Sequence, residues 1–336
     1  MHKKDIASTA FKGILINRQY NLKKHERKDR YRKDVLILGK FMNYAVGIDI
    51  GGTNTRVALI NEAYEVLQRE QFATDPFHPA ITFQRIADTI ASFGHTVKGI
   101  GVSCPGPLDL VHGVVLTPPN LPGWHHLPLT KELSTVCQVP VILENDANLA
   151  CLAEAAIGAG KGYSHVQFLT ISTGIGTGLA IDKQLFHGAR GFAQEIANCI
   201  FWKDGPSQGD LKKGSIESIS SGTAITKRAQ EAGLTVVHAG EVNDLAKQGN
   251  VAAMQIMEDA KEYLANLMAT FYAVLDPDIF VLSGSVALKI EGFIEEMEAR
   301  VKEKVYDALK DNVKVVKAQL DEDCGLIGAA YLVFHA

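Results

Sequence analysis

Residues 45–60 read Ala45-Val-Gly-Ile-Asp-Ile-Gly-Gly-Thr-Asn-Thr-Arg-Val-Ala-Leu-Ile60, a pattern that predicts a strand, a tight turn and a returning strand. The pattern returns about 120 residues later. There, residues 167–181 read Gln167-Phe-Leu-Thr-Ile-Ser-Thr-Gly-Ile-Gly-Thr-Gly-Leu-Ala-Ile181. An internal repeat of this size indicates two duplicated lobes of an α/β protein, and two such units can face each other across a cleft, each presenting a glycine turn.

The two turns have the composition of a phosphate clamp. Backbone N–H groups and hydroxyls in a Gly/Thr turn bind phosphate oxygens, and an acidic residue at the end of the preceding strand can hold Mg²⁺ directly or through water. A single Gly-Gly hairpin is more often only structural, but two hairpins at equivalent places in a repeat favour function. The candidate residues are Asp49, Gly51, Gly52, Thr53 and Asn54 in the first turn and Thr173, Gly174 and Gly176 in the second.

A third candidate stretch is Glu144-Asn145-Asp146-Ala147-Asn148, where a predicted strand (139–143) meets a predicted helix (147–157). A carboxylate here can be an ordinary helix N-cap. The ends of strands at the mouth of an α/β cleft are also where substrates bind. A carboxylate at that place can accept the proton of a hydroxyl that attacks a phosphoryl group.

Length, composition and missing motifs exclude several classes of protein. The 336 residues are 46% hydrophobic and 21% charged, which is typical of a globular chain with two domains. No phosphate loop of the GxxxxGK[ST] type, G-x-S-x-G elbow, H-E-x-x-H motif or C-x-x-C pair occurs. Residues 162–181 lack Asp, Glu, Lys and Arg but are too polar for a membrane helix, and no secretory signal is present, so we expect a cytoplasmic protein.

The first 41 residues differ from the rest. They carry 12 Lys/Arg against 4 Asp/Glu, whereas residues 42–336 carry 22 against 34. Without apolar periodicity, residues 1–41 are predicted to be a basic, disordered extension. Two alternatives stay open: a segment from translation upstream of Met42, and a nucleic-acid-binding arm, although the segment is short for a helix-turn-helix module.

Periodicity places the other elements. Helices are predicted at residues 81–93, 224–232, 251–275, 288–309 and 325–334, and strands at residues 66–72, 99–103, 278–282 and 313–316.

With these stretches, Cys104-Pro105-Gly106-Pro107, Pro119-Asn120-Leu121-Pro122-Gly123-Trp124 and Ser283-Gly284-Ser285 complete an ordered series of motifs that resembles the ROK family of sugar kinases and related repressors. The resemblance covers residues 44–334. It implies duplicated actin/hexokinase-like (ribonuclease H-like) lobes around a nucleotide cleft. The implied lobes are residues 42–155 with the terminal helix 325–336, and residues 156–324.

The resemblance also implies roles for single residues. The two glycine turns would grip the phosphates of ATP, with Asp49 serving Mg²⁺, and Gly284 would lie against adenosine. Asp146 would be the general base. The sugar-binding positions implied are Asn120, Asn145, Asp146, Glu195, Asn198 and Glu217.

One departure from the family pattern concerns zinc. Many members bind zinc through a His and three Cys, but here Asn198 replaces the His, Ser215 replaces the last Cys, and residues 202–214 contain no Cys. Because zinc needs thiolate or imidazole ligands, we predict no zinc site. Members of the β-glucoside kinase branch also lack it, so the departure leaves kinase activity possible and the identity of the sugar open.

The resemblance implies an ATP-dependent kinase that phosphorylates a hexose or hexose derivative at a primary hydroxyl, expected to be O6. The alternative is a sugar-responsive transcriptional regulator of the same family. A homodimer is expected from the resemblance, and binding to membranes or nucleic acid is not.

Overall fold

The structure is a computed structural model that describes residues 43–118, 120–320 and 323–336. The basic extension predicted at residues 1–41, together with Met42 and Pro119, lies outside the described residues.

Twelve strands and ten α-helices make up the described fold. The strands are β1 (Tyr44–Ile50), β2 (Asn54–Asn61), β3 (Val66–Ala73), β4 (Ile100–Cys104), β5 (Leu108–Asp109), β6 (Val114–Val115), β7 (Val141–Asn145), β8 (His165–Ile171), β9 (Ile175–Ile181), β10 (Gln184–Leu185), β11 (Ile279–Ser283) and β12 (Val315–Lys317). The helices are α1 (Pro79–Ser92), α2 (Leu129–Cys137), α3 (Asp146–Ala156), α4 (Ile216–Ser220), α5 (Gly222–Glu231), α6 (Ala239–Lys247), α7 (Val251–Leu275), α8 (Gly284–Lys289), α9 (Phe293–Lys302) and α10 (Cys324–His335), with 3₁₀ turns at Pro122–Trp124 and Asp307–Asn312.

Two five-stranded sheets confirm the duplication. Their orders are β3-β2-β1-β4-β7 and β10-β9-β8-β11-β12, so each sheet begins with a three-stranded antiparallel unit and continues with two parallel strands. The two quoted stretches form the β1–β2 and β8–β9 hairpins, at the same place in each sheet. The predicted α/β fold with duplicated lobes is therefore correct.

Each sheet has its own hydrophobic core. The first packs around the fully buried Phe83 and Trp124, whose rings meet edge to face at 5.4 Å. The second packs along α7, where Leu264 and Met268 are fully buried. Two separate cores leave the space between the sheets for other elements.

Helices α3 and α10 fill that space. Helix α10 packs on β1, β4 and α3, while α3 packs chiefly on β8 and β9. The approach is close because Gly47 and Gly101 face α10, where a Cβ would clash with the carbonyl oxygens of Leu326 and Ala329. The lobe boundary at residues 155/156 stays a prediction.

The predicted helix at residues 288–309 is wrong. The structure has the end of α8, then α9 and the start of a 3₁₀ turn in this stretch. Residues 290–292 separate α8 from α9, residues 303–306 separate α9 from the 3₁₀ turn, and Gly292 has a φ of +75°. A positive φ interrupts an α-helix, and glycine is the residue that adopts it without strain. Helices α2, α4 and α6 were not predicted.

Within the described residues, none of the helices has the length and apolar character needed to cross a bilayer.

Candidate active site

The first glycine turn joins β1 to β2. Asp49 lies opposite Arg56 in the ladder, and the Arg56 Nη2 and Nε atoms donate to Asp49 Oδ2 at 2.7 and 3.1 Å. A Cβ on Gly52 would lie 2.7 Å from Cβ of Asn120, so the turn touches a residue predicted to bind sugar. Arg56 is not among the predicted site residues, although pairing across the predicted hairpin places it beside Asp49.

The second glycine turn joins β8 to β9 and is held by Glu217. The backbone N–H of Ile175 donates to Glu217 Oε2 at 2.7 Å, and a Cβ on Gly174 would lie 2.7 Å from the same oxygen. Burial raises the pKa of Glu217, and the bond from Ile175 opposes that shift. Glu217, a predicted sugar ligand, is therefore hydrogen-bonded directly to the second glycine turn.

Asn145, rather than Asp146, is the N-cap of α3. Asn145 Oδ1 accepts from the N–H groups of Ala147 and Asn148 at 2.9 and 3.3 Å. Asp146 is the first helical residue, and its Oδ1 accepts from Ala147 N at 2.8 Å. Among the described residues, Asp146 Oδ2 has no hydrogen-bond partner. The predicted N-cap role thus belongs to Asn145, and one carboxylate oxygen of Asp146 remains available to accept a proton.

A cavity of about 670 Å³ brings most of the candidates together. The predicted site residues on its walls are Asn145, Asp146, Thr173, Gly174, Gly176, Glu195, Asn198 and Glu217. The remaining candidates are not on its walls: Asp49, Gly51, Gly52, Thr53, Asn54, Asn120 and Gly284.

The acidic residues of the cavity influence one another. Burial raises the pKa of Asp146, and the negative charge of Asp49 raises it further. The pKa of Glu195 is raised by burial first and by the charge of Asp146 second. Asp146 is thus a stronger base than a free aspartate, and Asp49 is near enough to influence it.

Glu195 is positioned by its neighbour Gln194. Gln194 has a φ of +74°, its carbonyl accepts from Thr177 Oγ1 at 2.6 Å, and its side-chain oxygen accepts from buried Gln167 Nε2 at 2.7 Å. Sequence analysis missed Gln167 and Gln194, because a contact across 27 residues leaves no local pattern.

Asn198 lies in the loop of residues 191–214, for which the sequence predicted no zinc site. Its Oδ1 accepts from the Lys212 N–H at 2.9 Å. Nearby, Ser215 caps α4, and Trp202 stacks on Tyr263 with ring centroids 5.3 Å apart. No group of three or more His, Cys, Asp or Glu that could hold a metal ion occurs within the described residues. The absence of zinc stays a prediction.

A second cavity, of about 760 Å³, adjoins the first and shares Ser172 and Thr173 with it. Its other walls come from α5, α6 with the two residues before it, and α8, including Thr226, His238 and Ser285. Gly284, the predicted adenosine contact, precedes Ser285 and has a φ of +86°. Most of these lining residues were not predicted, since they belong to helices far apart in the chain.

The first turn suits a hydrated magnesium ion. Asp49 Oδ2 is occupied by Arg56, whereas Oδ1 has no hydrogen-bond partner among the described residues. One carboxylate oxygen without a partner, and no group of three or more acidic, Cys or His ligands in the part of the chain that the structure describes, fit Mg²⁺ held mainly by phosphates and water.

Comparison with known proteins places the chain in a family. The model of the ROK family matches residues 45–336. The glucokinase of Thermotoga maritima is 31% identical over 308 residues, covering 86% of this chain and 96% of that protein. The N-acetylmannosamine kinase of Yersinia pestis is 32% identical over 290 residues, covering 86% and 98%.

Two solved structures of ROK family proteins are also similar to this chain. The ROK hexokinase of Thermus thermophilus superposes with a TM-score of 0.78 at 30% identity and covers 87% of this chain and 99% of its own. A ROK family glucokinase of Streptomyces griseus, in complex with glucose and AMPPNP, superposes with a TM-score of 0.71 at 27% identity and covers 88% and 100%. The duplicated sheets, the ordered motifs and these matches together show that the chain belongs to the ROK family.

Proposed function

We propose that this chain is an ATP-dependent sugar kinase that transfers the γ-phosphoryl group of ATP to a primary hydroxyl, O6, of a hexose or hexose derivative. The observation that carries the proposal is the 670 Å³ cavity, in which the open carboxylate of Asp146 shares a wall with the second glycine turn and with Glu195 and Glu217. The relatives named glucokinase and N-acetylmannosamine kinase support the same activity.

Asp146 acts as the general base. Its Oδ1 is held by the first turn of α3, so that Oδ2 can accept the proton of the sugar hydroxyl as the hydroxyl oxygen attacks phosphorus. Positioned general-base catalysis contributes about 10² to 10⁴ in rate. The remaining acceleration comes from alignment of the two substrates and from stabilisation of the transferred phosphoryl group.

ATP binds across both cavities. The two glycine turns bind its phosphates, and adenosine occupies the 760 Å³ cavity beside Gly284 and Ser285. Mg²⁺ bound near Asp49 would neutralise charge on the phosphate oxygens. Arg56 holds the Asp49 carboxylate in one orientation, and closure of the lobes over the substrates excludes water.

The sugar binds beside Asp146. Asn120, Asn145, Glu195, Asn198 and Glu217 are its proposed ligands. Asn198 Oδ1 is occupied by Lys212 N–H, which leaves the Asn198 NH₂ group as a donor to a sugar oxygen. Glu195 and Glu217 are acceptors for sugar hydroxyls. We further propose that the protein is a cytoplasmic homodimer, a point that size-exclusion chromatography with light scattering and cell fractionation would check.

The test is a sugar panel with ATP and Mg²⁺, read as ADP release and as the position of the phosphate by NMR. Glucose, mannose, N-acetylglucosamine, N-acetylmannosamine, fructose and a β-glucoside span the family's substrates. We expect one or two to be phosphorylated at O6. No turnover with any of them, together with sequence-selective DNA binding that requires residues 1–41, would instead support the regulator alternative.

A further inference from the structure

Glu144 is a buried carboxylate directly behind the proposed base. It ends the buried part of β7, two residues before Asp146, and its side chain is 4% exposed. Oε1 accepts from Asn145 N and from Asn148 Nδ2, both at 2.8 Å. Oε2 faces His187 Nε2 at 2.7 Å. Glu144 therefore holds the backbone on one side of Asp146 and a side chain of α3 on the other.

His187 belongs to the other lobe. It follows β10 and begins the loop that leads to Glu195. The His187 carbonyl accepts from Ala193 N at 3.1 Å, which closes the loop just before Gln194. One end of the Glu144–His187 hydrogen bond thus supports Asp146, and the other supports the segment that presents Glu195.

The Glu144–His187 hydrogen bond differs from a surface contact because the Glu144 side chain is buried. A buried carboxylate is destabilising unless its oxygens are satisfied, and Oε2 of Glu144 has His187 as its partner within the described residues. Hydrogen bonding to Glu144 raises the pKa of His187, while partial burial acts in the opposite direction. Among the described residues, Glu144 is the titratable group whose charge acts on His187.

We propose that Glu144 and His187 form a positioning pair that fixes the distance between the general base and the sugar-binding Glu195. The pair touches neither substrate. It acts through Asn145 on the proposed base, and through the loop of residues 188–194 on Glu195. The inference rests on the proposed function, because it takes Asp146 as the base and Glu195 as a sugar ligand.

Two variants of His187 separate positioning from simple stability. His187→Leu removes the donor and leaves Glu144 buried without its partner. His187→Gln supplies an N–H donor that carries no titratable charge. His112→Gln is the matched control, since His112 makes a similar 2.8 Å contact with Asp109 on the exposed β5–β6 hairpin.

The measurements are kcat and KM for the sugar and for ATP between pH 6 and 9, on proteins shown to be folded by circular dichroism. We expect His187→Leu to lower kcat and raise KM for the sugar, each about fivefold or more, while KM for ATP changes less than twofold. A neutral imidazole keeps an N–H donor, so this hydrogen bond needs no charge on His187. The amide N–H of His187→Gln should therefore restore kcat and the sugar KM to within twofold of the unchanged protein at every pH in this range.

Several results would overturn the inference. A folded His187→Leu protein with kcat and sugar KM within twofold of the unchanged protein would show that the pair is only structural. A folded His187→Gln protein that loses as much kcat and sugar affinity as His187→Leu would show that the hydrogen bond to Glu144 is not what positions the two residues. If the unchanged protein phosphorylates none of the panel sugars, the proposed function fails first, and this inference fails with it.

Discussion

At the scale of single residues, the neighbours Asn145 and Asp146 have different roles. Asn145 caps the helix, which leaves Asp146 with one oxygen on a backbone N–H and the other open to the cavity. Burial and the negative charge of Asp49 raise the pKa of Asp146. The raised pKa makes the Asp146 carboxylate a better proton acceptor, and it also makes this carboxylate easier to protonate.

The first prediction concerns turnover. Asp146→Asn keeps the shape and the Ala147 contact but removes the base, so kcat should fall by about 10² to 10⁴ while sugar affinity by calorimetry changes little. A coupled ADP assay on the preferred sugar measures it. Asp88→Asn, on the exposed face of α1, is the control and should turn over normally. Normal turnover by Asp146→Asn would exclude Asp146 as the base.

The second prediction is a pH profile. The raised pKa values of Asp146 and Glu195 mean that both carboxylates take up protons above the usual range of acidic side chains as the pH falls. A protonated Asp146 cannot accept the hydroxyl proton. The value of kcat/KM should therefore decrease on the acidic side, with a midpoint above the ordinary carboxylate pKa. A profile that stays flat down to the ordinary carboxylate range would contradict this assignment.

The third prediction concerns stability. A carboxyl whose pKa is raised in the folded state favours folding at acid pH and loses that contribution as the pH rises through the raised value. At neutral pH the negative charge of Asp146 is therefore unfavourable to folding, by an amount that solvent in the open cavity reduces. Asp146→Asn should melt at a higher temperature than the unchanged protein at pH 7, and the difference should shrink as the pH is lowered through that pKa. A lower melting temperature at pH 7 would refute the sign of this effect.

At the scale of elements, helix α10 is held against the first sheet by glycines. Gly47 on β1 and Gly101 on β4 let the helix backbone approach the sheet, and Gly328 likewise lies against the backbone of α3 at Leu149. Because β1 ends at the first glycine turn and α3 begins at Asp146, this packing sets the positions of both.

The fourth prediction tests that packing. In Gly101→Ala the new methyl group meets the backbone of Ala329, which cannot rotate away, so the free energy of unfolding should drop by about 1 to 3 kcal/mol. Gly325→Ala, on α10 itself, is the control, because its Cβ meets only Ser103 Oγ at 3.9 Å. Urea denaturation compares the two proteins. Equal losses in both would show that the close approach does not matter for stability.

The elements also show what could be predicted from the sequence. The β1–β2 and β8–β9 hairpins were found because a strand–turn–strand pattern is local and occurs twice. The helix at 288–309 was wrong because apolar spacing continues past Gly292, whose positive φ is a property of the folded backbone. The contacts of Glu144 with His187 and of Glu217 with Ile175 span 43 and 42 residues, so only the fold brings them together.

At the scale of the whole molecule, duplication explains the location of the site. The two sheets share one topology, so their glycine turns occupy equivalent positions at the ends of equivalent strands. Helices α3 and α10 lie between the two cores and connect them. The 670 Å³ cavity takes residues from both halves of the chain, whereas the 760 Å³ cavity is lined by residues between 172 and 291, all in the second half.

The most direct test of this account is a crystal structure with the preferred sugar and a non-hydrolysable ATP analogue. It should show the triphosphate between residues 51–53 and 173–176, adenosine beside Ser285, and a primary sugar hydroxyl about 2.6–3.2 Å from a carboxylate oxygen of Asp146. A nucleotide that contacts only one of the two turns, or a sugar whose hydroxyls lie far from Asp146, would contradict it.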